Sequence, residues 1–60
     1  MKEYMDKNLM VVKERVDTAL FLTSELLKDI DENRALQTME KMSVVIECLK
    51  DAAKFIRNIK

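Results

Sequence analysis

LLKDIDENRAL, residues 26–36, is the one dense polar cluster between two long apolar-periodic stretches, and whether the chain turns there decides the fold. On its N-terminal side, Met5, Leu9, Val12, Val16, Ala19, Thr23, Leu26 and Ile30 repeat at alternating spacings of four and three, with Thr23 the sole polar member. On its C-terminal side, Ala35, Thr38, Met42, Val45, Leu49, Ala52, Ile56 and Ile59 form a matching series, again with one threonine. Both are heptad-like helical stripes. If one helix continued in phase past Ile30, its next stripe positions would be Asn33, Gln37 and Glu40, all polar. The second stripe restarts at Ala35 instead, roughly 140° around the helix from Ile30 at about 100° per residue. A straight rod would point its stripes in different directions, whereas a turn lets them face each other. The spacing therefore predicts helices over about 4–29 and 34–59 joined by a turn at about 30–33.

Local chemistry fits a turn. Asp31 or Asn33 can offer a side-chain oxygen to the free amides that open the second helix. Asn33 can alternatively end the first helix in the left-handed conformation, a role glycine usually takes, and the chain has no glycine or proline at all. Ile30 and Ala35 are spaced for a hydrophobic staple if Asp31 is the cap. Glu3 and Asp6 near the first end, with Lys54, Arg57 and Lys60 near the last, carry the signs that helix dipoles favour. Thr23 and Thr38 are expected to bond a carbonyl one turn back or to fix pairing register. The fold class is all-α: a single antiparallel two-helix hairpin, each arm about 25 residues and roughly 38 Å long.

Sixty residues with one cysteine and no histidine lie near the lower limit for an independent core. Such chains need disulfides, a metal, or association. Cys48 can form no intrachain disulfide, and alone it cannot build a zinc site. Unusually good helix packing or association remains, and the breadth of the second helix favours association. Met39, Ile46 and Ala53 flank its stripe on one side, Cys48 and Phe55 on the other, while Leu20, Leu22 and Leu27 broaden the first helix. These eight are the expected oligomer interface, most simply two hairpins dimerising into a four-helix bundle. A helical partner protein could supply the missing helices instead. Phe21 and Val44 fall outside both stripes at similar heights along the hairpin, and would make a second docking patch if they act together. Met5, Met39 and Met42 read as core filling, and Met10 and Val11 sit off-centre.

Catalytic and ligand chemistry is not written here. Di-metal sites in bundles need inward Glu-x-x-His pairs, and Cys48 has no histidine to activate it. No catalytic residue, cofactor, metal or small-molecule substrate is therefore assigned. Lysine and arginine number eleven against eleven acids, so net charge points to neither nucleic acid nor anionic lipid. The longest uncharged run, TALFLTS at 18–24, is too short to span a bilayer, and mixed polar faces do not favour a membrane surface. The charge-interrupted opening MKEYMDKNLM has no signal-peptide core. With a free cysteine, this makes a cytoplasmic setting the expectation.

Lys50, Lys54 and Arg57 make a basic line on the last turns, with Glu47 and Asp51 placed to pair with Lys50 and Lys54. The segment KFIRNI, 54–59, is similar to a short basic-aromatic segment of the Rop family of plasmid RNA-binding regulators, whose dimeric hairpin architecture this chain also resembles. In that family the segment belongs to the first helix; here it lies in the second, covering six residues. The resemblance implies an RNA-binding dimer using Lys50, Lys54, Phe55 and Arg57, the alternative to a non-enzymatic protein–protein interaction module such as an oligomerisation unit, adaptor, regulator or co-chaperone. Likeness of fold does not itself carry function.

Overall fold

The computed structural model describes residues 6–59 and shows an all-helical hairpin, α1 (Lys7–Asp31) packed along α2 (Ala35–Arg57). Met5, expected in a stripe, and Glu3 and Lys60, expected at the helix ends, lie outside the described residues. The first helix starts at Lys7 because Asp6 caps it, its Oδ1 accepting the Asn8 amide at 2.7 Å.

The turn is tighter and slightly later than the sequence indicates, spanning Glu32 to Arg34. Its cause is a complete Schellman closure. Asn33 takes the left-handed conformation, with φ 61°. The Asn33 amide donates to the Ile30 carbonyl at 3.0 Å, and the Arg34 amide to the Asp29 carbonyl at 2.8 Å. Of the two roles open to Asn33, ending the first helix is the one it performs. Asp31 is still helical, and the residue at the start of α2 is Arg34, without a side-chain cap. Schellman turns often carry an apolar contact between the residues that Asp29 and Arg34 occupy here. In this chain that contact is an ion pair, Arg34 Nη2 to Asp29 Oδ1 at 3.1 Å. Both threonines bond back one turn: Thr23 Oγ1 donates to the Ala19 carbonyl and Thr38 Oγ1 to the Arg34 carbonyl, each at 2.8 Å.

The stripes do not meet squarely. Val12, Ala19, Leu26, Thr38, Val45, Ala52 and Ile59 are covered, as a facing seam requires. In the other half of each stripe Thr23 is partly covered and the remaining members are exposed. Leu9, Val16 and Ile30 on α1, and Met42, Leu49 and Ile56 on α2, remain 40–52% exposed. The better covered positions are their N-terminal neighbours: Asn8, Arg15 and Asp29 on α1, and Lys41, Cys48 and Phe55 on α2. Replacing one of two alternating positions by its neighbour rotates each contact line by about half a residue step, about 50°. The expectation of two stripes buried against each other is corrected to this extent. Polar pairing accompanies the rotation, since it brings Asp29 against Lys41 and Arg15 towards Asp51 across the hairpin.

The helices run in opposite directions, so an equal one-residue displacement on each turns the uncovered half-stripes to the same side. The Cα envelope is 49 × 22 × 9 Å, a single layer of helices. One such layer cannot enclose its side chains. Among the described residues only Ala19, Leu26 and Ala52 form a buried apolar core.

Candidate interaction surface

The two broad sides of the layer differ in chemistry. One side carries the ridge Leu9–Val16–Ile30, the ridge Met42–Leu49–Ile56, and between them a floor with Ala19, Leu26, Val45 and Ala52. Helical phase puts Leu20 and Leu27 at the outer edge of this side on α1, and Met39, Ile46 and Ala53 at its outer edge on α2. Leu20, Leu27, Met39 and Ile46 are 49–65% exposed. From residue 9 to 30 the side carries one charged position, Lys13, at its margin, where the lysine pairs with Asp17 at 3.1 Å. Near the turn it deepens into an open hollow of about 300 Å³ lined by Ile30, Asn33, Arg34, Ala35, Thr38 and Met39.

The opposite side is polar where the helices meet. Asp29 is the most buried described side chain, 3% exposed, and it accepts from Lys41 Nζ at 2.6 Å and from Arg34 Nε at 3.2 Å. Arg34 also pairs with Glu32, its neighbour across the turn. The hydrogen bond from Lys41, reinforced by the positive charges of Lys41 and Arg34, holds the Asp29 carboxyl below its ordinary value against the opposing effect of burial. Arg15 and Asp51 approach to 4.0 Å further along. No buried side-chain nitrogen or oxygen among the described residues lacks a partner.

Nothing in the spacing alone assigns Asp29 a role. Its signal lies in the line beside the apolar stripe: Arg15 and Asp29 on α1 complement Asp51 and Lys41 on α2.

The expected interface residues thus divide. Leu20, Leu27, Met39, Ile46 and Ala53 share the apolar side, whereas Leu22, Cys48 and Phe55 are partly covered on the other side, close to the helix–helix contact. Phe21 and Val44 are both exposed and lie on that second side, on different helices. Lys50, Lys54 and Arg57 are exposed along the outer edge of α2. Phe55 is half-buried and about 100° around the helix from Lys54, so the structure does not bring the aromatic ring and the basic line onto one surface. Asp51 pairs across the hairpin with Arg15 rather than with Lys54.

Among the described residues no three side chains of His, Cys, Asp or Glu gather closely enough to hold a metal ion, and no helix is long and apolar enough to cross a membrane. Comparison with protein-family models, curated proteins and solved structures finds no match to this chain.

Proposed function

We propose that this chain is a non-enzymatic protein–protein interaction module, an oligomerisation unit or small regulator. It acts through the apolar side of its hairpin. Helices laid on that side complete a second layer, and two hairpins together would make a four-helix bundle. The observation that carries the reading is the placement of Leu9, Val16, Ile30, Met42, Leu49 and Ile56, each 40–52% exposed, on one side of a single layer of helices whose Cα envelope is 9 Å thick. Isolated exposed apolar residues are ordinary on protein surfaces, but a continuous two-ridged strip is a contact surface.

Methionine footprinting with peroxide tests this directly. Met39 and Met42 belong to the apolar side, while Met10, 51% exposed, points outward from α1 and serves as the internal reference. In the assembled protein Met39 and Met42 oxidise much more slowly than Met10, and dilution removes the difference. Equal oxidation of all three at every concentration, with and without cell extract, would defeat the proposal.

A further inference from the structure

We infer that the occupant of the apolar side is a second copy of this chain, related by a twofold axis. This rests on the reading of that side as a protein-contact surface and names the partner. Three observations converge on it.

The first is area. A compact chain of 7.1 kDa exposes about 4100 Å² by the scaling of folded monomers, whereas this one exposes 4915 Å². Two separate hairpins expose about 9800 Å² between them, against about 6800 Å² for a compact assembly of twice the mass by the same scaling, and the difference of about 3000 Å² lies in the range of obligate homodimer interfaces.

The second is direction. In four helices arranged on a square, an apolar stripe aims at the bundle centre, about 45° away from the line to either neighbour. Both helices here are turned by about 50°, to the same side and in equal measure. A hairpin optimised as a free pair would aim its stripes across the pair. The hairpin already has the orientation of half a bundle, and a second copy would supply a layer of matching length, two-helix width and apolar character.

The third is charge. The chain is neutral, eleven cations against eleven anions, and its apolar side keeps charge to the margin. Stacking identical surfaces therefore brings no like charges together at the centre, as a self-complementary twofold patch demands. The ion-paired side, with Asp29, Lys41, Arg15 and Asp51, stays turned to water.

Sedimentation equilibrium of the full chain reads the outcome, with the circular dichroism of each variant as a folding control. Wild type is expected at twice 7.1 kDa. Ile46→Glu and Leu20→Glu each raise the dimer–monomer midpoint concentration by about tenfold or more, since each brings a carboxylate into an apolar contact. Ile46→Ala and Leu20→Ala, which keep helix propensity, move it the same way by less. Val44→Glu and Phe21→Ser, on the other side, leave it within about twofold, below the tenfold that corresponds to 1.4 kcal/mol.

A wild type that stays at 7.1 kDa up to millimolar concentration overturns the second copy. In that case, binding of the apolar dye anilinonaphthalene sulfonate, abolished by Ile46→Glu, would leave the contact-surface reading standing, and absence of dye binding would remove both. A dimer dissolved by Val44→Glu but not by Ile46→Glu also overturns the assignment.

Discussion

Truncating Leu49 separates a lone hairpin from an assembled one by magnitude. In the single layer Leu49 is 48% exposed. Full burial of a leucine side chain is worth about 1.5–3 kcal/mol, so removing a half-buried one costs about 1 kcal/mol. If a second layer covers the ridge, Leu49 becomes a core residue, and Leu→Ala in a core costs about 2–5 kcal/mol including the cavity left behind. Leu26 supplies the calibration. It is 8% exposed already, so Leu26→Ala costs about 2–5 kcal/mol in either state. The assay is urea unfolding followed by circular dichroism for wild type, Leu49→Ala and Leu26→Ala, each at protein concentrations a hundredfold apart. Assembly makes the wild-type midpoint rise with concentration and brings the two penalties close together. A Leu49→Ala penalty near 1 kcal/mol beside a Leu26 penalty several times larger, with midpoints independent of concentration, would refute the reasoning that the uncovered ridges are interior surface.

Further outcomes follow from the turn and the helix start. Asp29 titrates below its ordinary value of 3.8 because Lys41 and Arg34 favour its charged form; the folded state thus binds this proton less readily than the unfolded one. Its contribution is complete above that ordinary value and is lost as pH falls through the lower folded value. Helicity should therefore hold from neutrality to about pH 4 and decline below, and Asp29→Asn should be destabilised at pH 7 with a shallower acid decline; a variant indistinguishable from wild type at pH 7 and throughout the acid decline would count against the clasp. Asn33, at φ 61°, is in the region where a β-carbon is unfavourable, so Asn33→Ala should lower stability by about 1 kcal/mol and Asn33→Gly should be neutral or stabilising. Thermal melts giving the reverse order would show that another conformation closes the turn. Asp6→Ala removes the 2.7 Å bond to the Asn8 amide and should cost about 1 kcal/mol, with amide exchange accelerated at Asn8 and its neighbours; unchanged protection there would mean the cap is unused.

Sequence alone determined that there are two helices and that the chain reverses near residue 32. The phase break between Ile30 and Ala35 is a property of spacing, and no tertiary contact is needed to see it. Asn33 as a substitute for glycine was legible as one of its two open roles, since few residues tolerate the left-handed region; the structure decided between them. The back-bonding of Thr23 and Thr38 was equally local. What only the tertiary structure decided is where each stripe points. Periodicity marks an apolar arc at least 100° wide but not which direction within it meets the neighbouring helix. A rotation of about 50° exchanges Leu9, Val16 and Ile30 for Asn8, Arg15 and Asp29 without altering the pattern. Asp29 became a buried acid only because the turn brings Arg34 back to it and α2 carries Lys41 across to it. Local spacing cannot encode that meeting, since it depends on the relative rotation of two helices that touch only after the chain has folded back.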